Sequence, residues 1–158
     1  IVYLGIGSNM GDRALFLQQA AQWIQLKIGP ITKTSKIYET AAWGDTQQPN
    51  FYNQVLEIIT QLSASKLLNT CLEIEQLLGR IRGSLWGQRT IDIDILWYDG
   101  SVIQQLNLTI PHPYMHLRRF VLAPFAEIAP QIIHPTMGMT IQQLLEGCPD
   151  NLEATAIS

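Results

Sequence analysis

Two aspartates placed two residues apart are the strongest chemical feature of the sequence. Asp92 and Asp94 lie in the stretch R-T-I-D-I-D-I-L (89–96), where isoleucines alternate with polar residues. This alternation predicts a strand on which positions i and i+2 share one face, about 6.6–7 Å apart. Neighbouring carboxylates repel each other unless a cation or a proton lies between them, and Mg²⁺ prefers oxygen ligands. The pair therefore predicts a site for two Mg²⁺ ions, with a solvated acidic strand face as the alternative.

Three arginines lie in and next to a short loop directly before that strand. Arg80, Arg82 and Arg89 stand at the end of a predicted helix, within the loop and at the start of the strand. Guanidinium groups form paired hydrogen bonds with phosphate or carboxylate, so the three side chains could converge on a polyphosphate. Trp86 could cover a bound ring, and two glycines let the loop bend. The alternative is a basic loop that is only solvated.

The charge distribution points to a small anionic ligand. The net charge is −3, which argues against a general binder of nucleic acid or membrane surfaces. Residues 80–119 nevertheless hold five arginines against three aspartates, while the rest of the chain holds five basic and ten acidic residues. One locally basic segment in an acidic protein fits a compact phosphate-bearing ligand better than a long polyanion.

An aromatic segment before the third predicted strand could bind a planar heterocycle. Residues 40–53 contain Trp43, Phe51, Tyr52 and Asn53, which combine flat rings with an amide. Stacked rings and an amide at the ring edge would recognise such a ligand. Aromatic residues at the start of a strand also commonly belong to the core, and the residue types leave both interpretations open.

Two further motifs carry weaker signals. His112 lies between two prolines and could donate to a phosphate oxygen or be a satisfied buried histidine; it forms no convincing zinc pair with His116. The glycine-rich residues 5–11 follow a predicted strand but have neither the lysine of a P-loop nor the glycine spacing of a dinucleotide site. We interpret them as a turn.

The periodicities predict the element order β-α-β-β-α-β. The predicted strands span residues 1–7, 31–39, 51–62 and 90–98, and the predicted helices span 13–28 and a segment from Ser63 or Ser65 to 79. This order is typical of a ferredoxin-like α+β sandwich, an antiparallel sheet with two helices on one face. The remaining proline-rich C-terminal extension is predicted to contain loops and short helices near 117–127 and 140–146.

Length and composition favour one globular domain. A chain of 158 residues matches the roughly 100–200 residues of a single domain, so we expect residues 1–158 to fold as a unit. Cys71 and Cys148 are 77 positions apart and form neither a metal motif nor a disulfide framework. A reducing cytoplasm is therefore the predicted location.

Taken together, the motifs resemble the 6-hydroxymethyl-7,8-dihydropterin pyrophosphokinase family of folate biosynthesis. The matching stretches, in the family's order, are residues 3–12 (Y-L-G-I-G-S-N-M-G-D), 38–53, 79–98 and 111–130, the last including P-H-P and R-x-F-V-L. The resemblance implies an ATP-dependent diphosphotransferase that transfers pyrophosphate to the pterin hydroxymethyl group and leaves AMP. It implies small-molecule partners, ATP and the pterin, with no nucleic acid and no membrane.

The resemblance also implies roles for individual residues. The Mg²⁺ ligands implied are Asp92 and Asp94, and the catalytic arginines are Arg80, Arg82 and Arg89. The implied ATP-binding residues are Glu75, Arg82, Trp86, His112 and Arg118. The implied pterin pocket consists of Thr40, Ala42, Trp43, Gly44, Phe51, Asn53 and Phe120, with Phe51 and Phe120 as the stacking pair.

Two other functions remain alternatives. A nucleotidyltransferase also combines a Gly-Ser turn with an Asp-x-Asp pair, but the 84 positions between Ser8 and Asp92 disfavour it. A non-catalytic nucleotide-binding module on the same fold is the second alternative, because one fold can serve many functions.

Overall fold

The computed structural model describes residues 1–41, 50–79 and 91–157. Its strands are β1 (Val2–Ser8), β2 (Ile31–Thr34), β3 (Tyr38–Thr40), β4 (Phe51–Ile58), β5 (Asp92–Tyr98), β6 (Ile103–Gln105), β7 (Leu108–Ile110) and β8 (Thr155–Ala156). Its helices are α1 (Arg13–Lys27), α2 (Ala64–Leu77), α3 (Arg119–Ile128) and α4 (Ile141–Glu146), with a short 3₁₀ helix at Met115–Leu117. None of these described helices has both the length and the apolar character needed to cross a bilayer.

An antiparallel sheet forms the centre of the molecule and confirms the α+β class. The strand order is β5-β1-β4-β3-β8, and β2 also pairs with β4. The strand predicted over residues 31–39 is divided into β2 and β3 at Ser35. Its hydroxyl accepts a hydrogen bond from the Val55 N–H at 2.9 Å, which interrupts the regular backbone pairing. The hairpin of β6 and β7 forms a separate two-stranded sheet.

The first face of the sheet packs against α1 and α2. Val2, Leu4 and Ile6 of β1 are buried there together with alternate isoleucines of β5. Both helices begin at side-chain caps. The Asp12 carboxylate accepts from the Leu15 N–H at 3.1 Å, and the Ser63 hydroxyl accepts from the Lys66 N–H at 3.2 Å.

The second face of the sheet is covered as well, so the expectation of helices on one face alone is incomplete. Tyr3, Val55 and Leu96 pack there against α3 and α4, both contributed by the C-terminal extension. The short helices predicted near 117–127 and 140–146 correspond to α3 and α4, and they form a third layer on the sheet. Sequence patterns did not indicate β6, β7 or β8, because strands of two or three residues are too short for alternation to be recognised.

Candidate functional site

A cavity of about 520 Å³ lies on the second face of the sheet, bordered by β1, β3, β4, β5 and the start of α3. It brings together seven residues predicted from the sequence. These are Thr40, Phe51, Asn53, Asp92, Asp94, Arg118 and Phe120. They come from four separate stretches of the chain, so the antiparallel sheet and the third layer assemble the site between them.

The two aspartates lie side by side on the cavity floor. Asp92 pairs with Gly7 and Asp94 with Gly5 across the β1–β5 ladder. Ile93 belongs to the core on the opposite face, so the alternation predicted from the sequence is confirmed. Within the described ranges, no group of three or more His, Cys, Asp or Glu side chains is arranged to hold a metal. Among the described residues that line the cavity, the carboxylates are this pair.

Glycines of β1 give the floor its depth, and sequence reasoning missed them. Gly5 and Gly7 both line the cavity, although the glycine-rich stretch was interpreted as a turn. A Cβ at Gly7 would lie 2.6 Å from the Asn53 Oδ1, which is closer than a Cβ approaches a non-bonded atom in real proteins. The signal that could have identified them is the alternation of glycine with Leu4 and Ile6, which puts two glycines on one strand face.

An amide and a hydroxyl are paired on the wall opposite α3. Asn53 is only 9% exposed, and its Nδ2 donates to the Thr40 Oγ1 at 3.3 Å. This contact leaves the carbonyl end of the Asn53 side chain beside Gly7. A bound ring in the cavity would thus meet an oriented amide at its edge.

Another wall of the cavity is formed by Arg118, which lies near two aromatic rings. The Arg118 guanidinium carbon lies 5.6 Å from the Tyr114 ring centre and 5.8 Å from that of Phe120. Tyr114 and Leu117 also line the cavity and were missed by sequence reasoning. Both are more than a third exposed, and their exposure is decided only in three dimensions.

His112 lies beside this cavity rather than in its lining. It borders a second cavity of about 310 Å³ together with His116 and His134. Burial, followed by the nearby Arg118 charge, lowers the pKa of His112 to about 4, although Asp92 acts in the opposite direction. Its Nδ1 accepts from the Tyr114 N–H at 3.2 Å, so the neutral ring carries its hydrogen on Nε2. His112 is therefore an uncharged donor at neutral pH.

This lowered pKa predicts a pH-dependent loss of stability. The unfolded chain binds the His112 proton more tightly than the folded chain does. The contribution of His112 to stability is therefore complete above about pH 6.5 and is lost as the pH falls towards about 4. In His112→Asn the amide oxygen can replace Nδ1 as the acceptor, but the side chain does not titrate. We expect wild type to lose about 2–3 kcal/mol more than this variant between pH 7 and pH 4, measured by urea unfolding. Equal losses in both proteins would contradict the prediction.

Glu75 does not line the described cavity. It is 2% exposed, and its Oε2 accepts from the Ile93 N–H at 2.7 Å. Because β5 is the edge strand of the sheet, this bond satisfies a backbone group there. The remaining predicted site residues lie outside the described ranges. They are Ala42, Trp43, Gly44, Arg80, Arg82, Trp86 and Arg89.

Comparisons with known proteins agree on one family. The sequence profile of the 7,8-dihydro-6-hydroxymethylpterin-pyrophosphokinase family matches residues 3–130. The 2-amino-4-hydroxy-6-hydroxymethyldihydropteridine pyrophosphokinase of Methylorubrum extorquens is 42% identical over 144 residues, covering 90% of this chain and 90% of that protein. The Bacillus subtilis protein of the same name is 44% identical over 133 residues, covering 84% of this chain and 80% of the relative.

The solved structures support the same fold. The crystal structure of wild-type Plasmodium falciparum HPPK-DHPS with SDX-DHP superposes with a TM-score of 0.75 over 92% of this chain, at 18% identity. This chain spans 43% of the length of that solved chain. The matched profile covers the β1 glycines, the Asn53 wall, the aspartate pair and the start of α3. The chain therefore belongs to the 7,8-dihydro-6-hydroxymethylpterin-pyrophosphokinase family.

Proposed function

We propose that this enzyme transfers the pyrophosphoryl group of ATP to the hydroxymethyl oxygen of 6-hydroxymethyl-7,8-dihydropterin, giving AMP and the pterin diphosphate. Family membership supports the reaction. The observation that carries it is a single cavity joining a carboxylate pair to a wall of aromatic rings and an oriented amide. The cavity has both the groups that a polyphosphate with its metal ions requires and those that a flat heterocycle requires.

Asp92 and Asp94 are proposed to hold two Mg²⁺ ions. Their carboxylates are hard oxygen donors on one strand face, and the side-chain-free Gly5 and Gly7 opposite them leave open volume. Mg²⁺ sites commonly use one or two carboxylates and complete the coordination with water and substrate phosphates, which fits a pair without a third described ligand. Bound Mg²⁺ would neutralise phosphate charge and favour an in-line transfer.

Besides holding the metal ions, the protein is proposed to position the two substrates and to neutralise phosphate charge. Asn53, with Phe51 and Phe120 on either side, would orient the pterin ring so that its hydroxymethyl group points towards the aspartates.

Arg118 would contact ATP phosphates, and the neutral His112 would donate from Nε2 without adding charge. Arg80, Arg82 and Arg89 are proposed to neutralise charge on the transferring group and the leaving AMP, with Trp86 closing over the site. Glu75 would contribute to the ATP site by holding the strand that carries the aspartates, through its bond to the Ile93 N–H.

The pterin pocket gives a direct binding prediction. Asn53→Ala removes the buried amide that Thr40 orients, and Phe120→Ala removes one stacking ring. An unpaired buried polar group costs about 1–3 kcal/mol, and stacking contributes about 0.5–1.5 kcal/mol beyond area burial. Calorimetry should show weaker pterin binding in both variants, with unchanged affinity for a non-hydrolysable ATP analogue. If nucleotide affinity falls instead, the pocket is assigned to the wrong substrate.

One product assay tests the reaction itself. The protein is incubated with ATP, Mg²⁺ and reduced hydroxymethylpterin, and the nucleotide products are separated. AMP together with pterin diphosphate supports pyrophosphoryl transfer. Free pyrophosphate with an adenylated product would indicate nucleotidyl transfer, and the absence of turnover would indicate a binding module.

Finer points of organisation are also proposed. The sheet order β5-β1-β4-β3 with α1 and α2 on one face supports a ferredoxin-like unit. The two helical layers share that sheet, which supports a single domain over residues 1–158. Cys71 and Cys148 are both free thiols, in keeping with the predicted cytoplasmic location.

A further inference from the structure

The helix that carries the arginine and aromatic wall begins without a cap of its own. Arg118 has an extended backbone conformation before α3, and its side chain makes no capping hydrogen bond. The first N–H groups of a helix have no intrahelical acceptor, and this end of the helix carries partial positive charge. The residues on both sides of the first helical position, Arg118 and Phe120, line the cavity. A contact that fixes the start of α3 therefore also fixes the positions of Arg118 and Phe120.

Asp150 supplies the missing cap from 31 residues further along the chain. Its Oδ2 accepts from the Arg119 N–H at 3.1 Å, and its Oδ1 accepts from the Leu152 N–H at 2.9 Å. The Arg119 side chain donates two hydrogen bonds to the same segment. Its Nε donates to the Asp150 carbonyl oxygen at 3.1 Å, and its Nη2 donates to the Cys148 carbonyl oxygen at 3.5 Å. Asp150 is 5% exposed, so its carboxylate depends on these partners.

The same C-terminal segment also reaches the opposite wall. After Asp150 the chain forms β8, which pairs with β3 by placing Thr155 opposite Glu39 and Ala156 opposite Tyr38. The next residue of β3 is Thr40, the partner of Asn53. A segment of about ten residues therefore touches the start of α3 and the strand that carries the amide wall.

We propose that Asp150 is a positioning residue for substrate binding: it fixes the start of α3 so that Arg118 and Phe120 face the cavity. The proposal rests on the proposed function, because it assigns Arg118 to ATP and Phe120 to the pterin. Asp150 itself does not line the cavity. It acts through the Arg119 N–H, since a buried carboxylate with both oxygens engaged permits little displacement of the helix end.

The other end of α3 offers a matched control. Glu127 is also a carboxylate that joins α3 to the rest of the molecule, accepting from the Lys36 N–H at 3.1 Å and from the Tyr38 hydroxyl at 2.7 Å. It lies seven residues beyond Phe120 and does not line the cavity. Removing it weakens the attachment of the C-terminal end of the helix, away from Arg118 and Phe120.

The test compares Asp150→Ala, Asp150→Asn and Glu127→Ala by thermal unfolding and by calorimetry with the pterin substrate and a non-hydrolysable ATP analogue. Asp150→Ala is expected to weaken both ligands about tenfold, the effect of a lost helix cap. Asp150→Asn should restore part of the affinity, because the amide oxygen can still accept from the Arg119 N–H while the amide NH2 cannot accept from the Leu152 N–H. Glu127→Ala should lower Tm and leave both affinities unchanged.

A further variant covers the case in which Asp150→Ala does not fold. Arg119→Ala keeps the carboxylate cap and removes only the side-chain hydrogen bonds from Arg119 to the Asp150 and Cys148 carbonyl oxygens. We therefore expect a several-fold loss of affinity for both ligands, smaller than the loss caused by removing the cap. Wild-type affinities in Asp150→Ala or in Arg119→Ala, or an equal loss in Glu127→Ala, would show that the contact only stabilises the fold. Failure of wild type to bind either ligand would instead overturn the proposed function.

Discussion

Replacing Asp92 or Asp94 by alanine is expected to abolish turnover while leaving the fold intact. Both carboxylates face the cavity and are partly exposed, and the strand itself is held by Ile93 and Ile95 on the other face. Loss of a metal ligand removes several kcal/mol of charge stabilisation, which corresponds to a fall in kcat of at least about a hundredfold. Steady-state assays at saturating Mg²⁺, with far-UV circular dichroism as the folding check, measure both effects.

Asp99→Asn is the control for this experiment. Asp99 follows the same strand, lies in an exposed turn with a positive φ of 50°, and is remote from the cavity lining. Asparagine tolerates that backbone conformation, so activity should be retained. Near-normal activity of Asp92→Ala or Asp94→Ala would contradict the two-metal proposal. An equal loss of activity in Asp99→Asn would point to a general effect of removing negative charge.

Gly7→Ala is expected to weaken pterin binding strongly by displacing Asn53. The added Cβ would lie 2.6 Å from the Asn53 Oδ1, so the amide must rotate or shift away from the position held by Thr40. A mispositioned or unpaired buried amide costs about 1–3 kcal/mol, which weakens pterin affinity by roughly five- to 150-fold. Calorimetry with the pterin substrate measures the loss directly.

The neighbouring Gly5→Ala provides a matched comparison. Gly5 is on the same strand face and lines the same cavity, but its Cβ would lie 3.4 Å from the flexible end of Leu96, an ordinary contact. We expect a small change in pterin affinity for Gly5→Ala and a large one for Gly7→Ala, with both proteins folded. Similar affinities in the two variants would show that Asn53 does not hold the pterin edge.

Much of the sheet and part of the site follow from local patterns in the sequence. The alternation in residues 89–96 determines that Asp92 and Asp94 share a face and that Ile91, Ile93 and Ile95 are buried. The caps at Asp12 and Ser63 determine where α1 and α2 begin. These features depend on neighbours within a few residues, which is the range over which propensity and periodicity act.

Other features depend on contacts that no local pattern contains. The opposition of Gly7 to Asn53 is a property of the β1–β4 register, across 46 positions of the chain. The third layer forms because α3 has an apolar side that finds the uncovered face of the sheet, and Asp150 caps that helix from 31 residues away. The sequence alone thus determined the chemical groups and the strand that carries the aspartates. Only the tertiary structure decided that the β1 glycines and the C-terminal segment shape the cavity, because pairing register and helix docking are settled by packing between distant segments.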